Sequence, residues 1–287
     1  QMLNPDAVNG EGDFIFMDKN STTQYKIEDL QTMIQASLEV LRKDRDREVL
    51  MKRHGVLNNT PQTLEQIGQQ LGITRERVRQ IEKAALSRIR QEEGINSDFA
   101  TVLLDLVDNK GGVIRFSNVV GQLASDDLAA ELDFIIRTNP HFVLVDKNDQ
   151  FESLIANAAN YSEADIKSLH QLIINTTKEL GKPGDFARIA KRIDGPHKPS
   201  SLMEIAYASA HMSELENNWG LSHWPEVNPK SIRDKVYLVL KRNTRPMHFS
   251  EIAKKLTDVQ ANPKQVTTQA VHNELIKDKR FVLIGRG

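Results

Sequence analysis

The chain has 287 residues, 39% of them hydrophobic and 27% charged, and its formal net charge is −1. This composition is typical of a globular protein with room for two or more domains, and it excludes a polycation that would coat nucleic acid along its whole length. The absence of cysteine excludes disulfides and thiolate metal sites, and no apolar run approaches the roughly 18 residues that span a bilayer.

The first 25 residues are polar and rich in Gly, Asn and Asp, which predicts a flexible or locally docked lead-in. Its apolar patch at 14–17 is expected to dock on the body of the protein rather than on a partner. From 27 to 53 the spacing of apolar residues predicts helices. A first apolar stripe is followed by a second one that begins at Val49 and Leu50. The first stripe consists of Ile27, Leu30, Ile34, Leu38 and Leu41.

The stretch from Thr63 to Arg90 predicts two helices joined by a tight turn. Apolar residues recur at helical spacing in its first half, and Gly72 then supplies the turn because it reaches backbone angles that other residues avoid. Thr74 carries a hydroxyl suited to capping the second helix, which begins at Arg75. The buried side of that helix is predicted to consist of Val78, Ile81, Ala85 and Ile89.

The opposite side of the second helix carries long polar side chains that can reach base edges in the major groove. Arginine can bond guanine, glutamate can accept a hydrogen bond from cytosine, and glutamine can pair with adenine. We therefore predict that this helix-turn-helix binds duplex DNA; the alternative is a solvated basic face without a nucleic-acid partner. The predicted contacts are Thr74, Arg75, Glu76, Arg77, Arg79, Gln80 and Lys83.

The segments TLEQIG at 63–68 and TRERVRQIE at 74–82 resemble region 4 of the primary-type bacterial sigma factors, which reads the upstream promoter element. The likeness extends back to Leu38 through LEVLRKDRDREVLMKRHGVLNN. It implies a region 4-like domain at 26–92, with promoter-type double-stranded DNA and bacterial RNA polymerase as partners. By resemblance, the family's base and phosphate contacts fall on Arg75, Glu76, Arg79 and Gln80.

Beyond residue 92 an internal repeat predicts three winged-helix-like units, at 93–160, 161–229 and 230–287. In each unit an apolar helix, a Gly- or Pro-marked turn and a second helix precede a third helix and a strand-like run. In the second unit the third helix is expected to cover 200–216. The second helices start near Phe116, Phe186 and Phe249, and the strand-like runs are Phe142–Val145, 219–221 and 281–284.

The third unit, through SIRDKVYLVLKRNTRPMHFSEIAKKL and TTQAVHNELIKDKRFVLIGRG, resembles the HARE-type winged helix, which is also found in the RNA polymerase delta subunit. That resemblance implies DNA or polymerase contacts. The polar side chains of its third helix and the cations beside its wing are candidate DNA contacts, unless this basic surface serves only solubility or polymerase binding. They are Lys264, Thr267, Thr268, Gln269, His272, Asn273 and Arg280, with Lys279 and Arg286 beside them.

Charge is unevenly distributed: acidic residues far outnumber basic ones from 93 to 165, and the balance reverses from 231 to 287. Phosphates repel the acidic part and attract the basic one. Asp126, Asp127, Glu131 and Asp133 are interpreted as a solvated face rather than a partner surface. Trp219 and Trp224 are interpreted as packing residues rather than as base-stacking platforms.

The eight His residues show no paired zinc spacing, and neither a Walker motif nor a nucleophile elbow occurs, so we predict no enzyme, cofactor or metal. The sequence predicts a mainly α protein, with a helix-turn-helix domain followed by tandem winged-helix-like units. Its predicted role is that of a cytoplasmic, nucleoid-associated and sigma-like accessory or regulatory transcription protein.

Two alternatives stay open: a polymerase-binding protein with little DNA readout, and the DNA-recognition component of a restriction or mobile-element system. No segment resembles the promoter-melting region of sigma factors. From the start at Gln1-Met2 we expect a short complete protein rather than the C-terminal part of a longer sigma factor.

Overall fold

The computed structural model describes residues 24–243, 245–258 and 266–285. The lead-in with its patch at 14–17, together with Lys264 and Arg286, lies outside the described residues, so those predictions have no structural counterpart. The described chain is mainly helical with small antiparallel sheets, which confirms the predicted fold class.

The N-terminal part consists of four helices: α1 (Ile27–Glu39), α2 (Asp44–His54), α3 (Leu64–Leu71) and α4 (Arg75–Arg90). Gly55 ends α2 in the left-handed region at φ 71°, where a residue without Cβ is favoured. Leu30, Ile34 and Leu38 of the first predicted stripe lie on the buried side of α1, and buried Leu41 follows that helix. Val49 and Leu50 of the second stripe are buried on α2. The helix-turn-helix is therefore present where the periodicity of the sequence predicts it.

The first unit has the complete winged-helix plan of three helices and a three-stranded sheet. Its helices are α5 (Ser97–Asn109), α6 (Phe116–Leu123) and α7 (Ala129–Thr138). Its strands are β1 (Val113–Arg115), β2 (Phe142–Val145) and β3 (Leu154–Asn157). β3 lies in the middle of the antiparallel sheet, pairing Ala156 with both Val113 and Val143.

The second unit repeats the plan with α8 (Glu163–Leu180), α9 (Phe186–Ala190), α10 (Pro199–Ala208) and the hairpin β4 (Met212–Leu215) and β5 (Asn218–Leu221). The expected helix at 200–216 is wrong in its second half, since α10 ends at Ala208 and 212–215 is a strand. The hydroxyl of Ser209 accepts a hydrogen bond from the backbone N–H of His211 at 3.1 Å, which turns the chain out of the helix.

The third unit contains α11 (Ile232–Arg242), α12 (Phe249–Asp258) and α13 (Thr268–Lys277). The predicted strand-like run at 281–284 is not a strand within the described residues. No described neighbour supplies a hydrogen-bonding ladder for this run, and Val282, Leu283 and Ile284 are all mostly exposed. An apolar run alone does not make a strand, because strand pairing requires a second backbone.

The apolar core is shared between successive parts of the chain. One cluster joins side chains of α1, α2 and α4 to α5, α6, α7 and the sheet of the first unit. A second cluster joins the opposite side of that sheet to α8, α9, α10 and the second hairpin. The third unit has a separate cluster around Val236, Ile252 and Val271. The division at 92, 160 and 229 stays a prediction.

Candidate nucleic-acid interface

The turn of the helix-turn-helix is built from local hydrogen bonds. Thr63 caps α3 and forms a capping box with Gln66, while Gly72 ends that helix at φ 66°. Thr74 then caps α4, because its hydroxyl accepts the backbone N–H of Arg77 at 3.2 Å. A Cβ on Gly68 would lie 2.7 Å from the carbonyl oxygen of Ile73, so α3 and the turn before α4 approach closely at this point.

One side of α4 is buried and the opposite side is exposed. Val78 and Ile81 pack with Val49 and Ile67 in the small core of the helix-turn-helix, and all four side chains are buried. Ala85 and Ile89 continue the buried stripe into the main core. The seven predicted contacts, from Thr74 to Lys83, are all exposed. The structure therefore brings them together on one outward surface, which we call the α4 face.

The side chains of the α4 face are ordered by hydrogen bonds among themselves. Arg79 donates from Nε and Nη2 to the two carboxylate oxygens of Glu76, at 2.8 and 2.7 Å. Arg77 donates to the amide oxygen of Gln80 at 3.2 Å. The hydrogen bond and charge of Arg79 hold the pKa of Glu76 below its ordinary value, so Glu76 is an anion at neutral pH.

Because these groups are exposed to solvent, their pairing adds little stability. It orients the planar groups and leaves Arg75 and Lys83, which form no ion pair within the described residues, ready for phosphate contact. The arrangement can offer both donors and a carboxylate acceptor to base edges.

A polar junction that the sequence did not reveal fixes α4 against the first unit. Half-buried Arg90 donates to the carbonyl oxygens of Arg137 at 2.9 Å and Phe142 at 3.0 Å, with a longer contact to Pro140. Burial lowers the pKa of Arg90. These acceptors lie at the end of α7 and the start of β2, 47 or more positions along the chain. Because these acceptors are backbone carbonyl oxygens, which every residue has, the sequence does not identify them.

Charged side chains of α2, α4, α7 and the segment after β2 line a cavity of about 440 Å³ beside this junction. His54 lies between Glu82, at 3.5 Å, and Asp133, at 3.9 Å. Burial raises the pKa of Glu82, but the contact with His54 and the nearby arginines outweigh it, and the net shift is downward. Burial lowers the pKa of Arg137, but its bonds to Asp133 and Asp146, at 2.9 and 2.7 Å, raise it by more.

The third helices of the first and second units are covered by neighbouring elements. α7 packs against α1 and α4, and its side chains Leu132, Phe134 and Ile135 are buried. α10 packs against β1, where buried Glu204 accepts hydrogen bonds from the backbone and side chain of Arg115, both at 3.2 Å. Neither helix can enter a groove in this arrangement, although a winged helix commonly uses that helix for DNA.

Among the described residues, nothing covers one side of α13, the third helix of the third unit. Thr267 caps it by accepting the backbone N–H of Ala270, and Thr268, Gln269 and Asn273 are exposed. His272 instead packs edge-on against the ring of Phe249 at 5.1 Å. Arg280 is held by Asp278 at 2.6 Å and lies 4.7 Å from the ring of Tyr237. Hydrogen bonding to Asp278 raises the pKa of Arg280.

The two tryptophans pack within the second unit, which confirms their interpretation as packing residues. Trp219 is buried between the rings of Phe186 and Tyr207, at 5.0 and 4.5 Å. Trp224 covers Gly220 of the hairpin. Of the four acidic residues near α7, Asp133 is paired with Arg137, whereas Asp126 and Asp127 are exposed.

No described cluster of His, Asp and Glu side chains has the arrangement needed to hold a metal ion. Among the described helices, none combines the length and apolar character that membrane crossing requires.

Residues 41–91 match the family model of Sigma-70, region 4. Over 86 residues the chain is 41% identical to RNA polymerase sigma factor RpoD of Helicobacter pylori, an alignment that covers 29% of this chain and 12% of that protein. Over 101 residues it is 37% identical to RNA polymerase sigma factor RpoD of Neisseria gonorrhoeae, covering 34% and 15%. The chain thus spans less than a sixth of the length of these curated relatives, and the predicted region 4-like helix-turn-helix is confirmed for 41–91.

Proposed function

We propose that this protein binds promoter-type duplex DNA through the α4 face, as a sigma-like accessory or regulatory transcription protein. One observation carries the proposal: all the polar side chains of the helix-turn-helix predicted to contact DNA lie together on its exposed side, within a segment matching Sigma-70, region 4. Arg75, Arg79 and Gln80 suit guanine or adenine edges, and Glu76 suits cytosine.

The packing of α7 and α10 supports this proposal. Because neighbouring elements cover these two helices, α4 and α13 are the groove-binding candidates among the described helices. We propose that the third unit is a HARE-type winged helix in which α13 adds a second contact to nucleic acid or polymerase. Two linked modules raise each other's effective concentration, so two weak contacts give useful affinity. RNA polymerase is the proposed protein partner, because the relatives at 41–91 are named RNA polymerase sigma factors.

The test compares binding of the purified chain to a promoter-containing duplex and to a scrambled duplex across a salt series. The test variant is Arg75→Ala/Arg79→Ala. The matched control is Arg88→Ala, which removes an exposed arginine from the same helix far from its N-terminal end. Removing a bidentate base contact weakens specific binding by about 10- to 100-fold.

We expect the double variant to lose its preference for promoter DNA while Arg88→Ala keeps it. Equal binding of both duplexes by the wild type, unaltered by the double substitution, would refute sequence reading by α4. Capture of RNA polymerase by the same proteins then separates the two proposed partners, since a polymerase-only protein would bind polymerase in the wild type and in both variants.

A further inference from the structure

Two ion pairs cross from the second unit to the third. Arg242 Nη2 lies 2.8 Å from Glu216 Oε2, and Lys241 Nζ lies 3.2 Å from Glu226 Oε1. The core clusters of the two units have no described residue in common. We call these contacts the linking pairs. Charge, rather than a continuous apolar core, therefore joins the ends of these units at this surface.

The cations of the linking pairs lie in the last turn of α11 and remain accessible. Their side chains are 52% exposed for Lys241 and 48% for Arg242, and exposed Arg245 follows them. Attraction to the helix dipole explains why cations occur at this end of α11. It does not explain why carboxylates from a different unit face both of them.

The position of Glu216 is unusual for a residue that serves only the turn. Glu216 and Asn217 form the two-residue loop between β4 and β5, with φ values of 53° and 63°. Such loops favour Asn or Gly, because a larger residue is disfavoured in the left-handed region. Residues held in disfavoured backbone conformations are concentrated at functional positions. Here the side chain of Glu216 reaches Arg242.

Glu226 is likewise fixed by the second unit. Its neighbours Trp224 and Val227 both pack over Gly220 of the hairpin, and Val227 is buried. The carboxylate partner of Lys241 is thus presented by a folded surface. Burial lowers the pKa of Lys241, but the hydrogen bond and charge of Glu226 and the hydroxyl of Tyr237 raise it by more, so the amine stays charged.

We propose that the end of α11, with Lys241 and Arg242, is an additional binding site for the phosphates of duplex DNA, and that Glu216 and Glu226 occupy it in the free protein. Carboxylate and phosphate oxygens accept the same charged N–H donors, so a duplex can take the place of the carboxylates. The exchange releases the third unit from the second at this surface. This inference rests on the proposed function, because it takes duplex DNA to be the ligand of this protein.

The experiment measures binding of the full chain to the scrambled duplex across a salt series. Glu216→Asn/Glu226→Gln removes both carboxylates, and asparagine also suits the turn position, so folding should be preserved. Glu179→Gln is the control for loss of a single surface carboxylate, because Glu179 is an exposed acid of α8 that forms no ion pair within the described residues. A third variant adds Lys241→Gln/Arg242→Gln to the double acid variant.

Exposed ion pairs are each worth a factor of about 1.5 to 5, so the double acid variant should bind roughly 2- to 25-fold more tightly than Glu179→Gln. Adding the cation substitutions should abolish this gain in affinity. It should also reduce the slope of the logarithm of the binding constant against the logarithm of salt concentration by about 0.9 for each phosphate that the protein no longer neutralises. The proposal is overturned if the acid variants match the control, or if their gain survives removal of the cations.

The two proposals fail in different ways. If the wild type prefers promoter DNA through Arg75 and Arg79 while the acid variants behave as Glu179→Gln, the linking-pair proposal alone falls. If the acid variants gain affinity but no preference for promoter DNA exists, the α4 proposal alone falls. If no variant binds duplex DNA at any salt concentration, both fall.

Discussion

Replacing Arg90 by alanine should loosen the attachment of the helix-turn-helix to the first unit. The guanidinium donates to the carbonyl oxygens of Arg137 and Phe142 at 2.9 and 3.0 Å, in a half-buried setting. A hydrogen bond with a charged partner contributes about 1.5–3 kcal/mol to stability. Removing the guanidinium also leaves partly buried carbonyl oxygens without a hydrogen-bond donor. Allowing for the solvent that reaches this site, we expect a loss of about 2–4 kcal/mol in the free energy of unfolding.

The assay is urea unfolding followed by circular dichroism, with thermal unfolding as a second measure. A loss of this size lowers the melting temperature by between about 4 and 16 °C for a chain of this length. Arg88→Ala is the control, since Arg88 is exposed on the same helix and a surface substitution changes stability by less than about 0.5 kcal/mol. Equal midpoints for Arg90→Ala and Arg88→Ala would refute the junction as an anchor.

The remaining predictions concern the turn and the charged junction. Gly72→Ala should lower the free energy of unfolding by about 1 kcal/mol, because alanine is disfavoured in the left-handed backbone conformation. Gly68→Ala should lower it by more, because the added Cβ meets the carbonyl oxygen of Ile73. The urea midpoints of the two variants measure this difference, and the reverse order would contradict the packing argument. The depressed pKa of Glu82 stabilises the folded state above the ordinary glutamate pKa of about 4.3, and this contribution is lost as pH falls through the lower folded pKa. Between neutral and acidic pH the free energy of unfolding should therefore fall more steeply in the wild type than in Glu82→Gln. Parallel curves of unfolding free energy against pH would exclude Glu82 as the source of this loss.

Local features of the chain were sufficient to predict the helix-turn-helix and its exposed residues. The capping hydroxyls of Thr63 and Thr74, the turn at Gly72 and the apolar period of α4 act over a few residues, so their effect can be predicted from neighbours in the sequence. The same period assigns the polar residues between Arg75 and Lys83 to the outward side. Repeated helix spacing also predicted the winged-helix plan of the first two units.

Predictions from local sequence were wrong where the structure of a segment depends on a group far away in the chain. The hydroxyl of Ser209 bonds His170 and the backbone after α10, so the helix ends where its apolar pattern would have continued. The run at 281–284 is apolar, yet strand formation depends on a partner backbone that no single segment specifies.

Only the tertiary structure decided which third helices remain available for a groove. α7 and α10 have the amphipathic patterns of groove-binding helices, but α1, α4 and β1 cover them in the folded chain. The pairing of Arg90 with carbonyls of a different unit, and of Arg242 with Glu216, likewise requires the chain to have folded. Sequence alone determines the chemical groups that α4 presents, because helical period and capping are local. Burial and long-range pairing decide which of those groups are free, since both depend on residues brought together from separate parts of the chain.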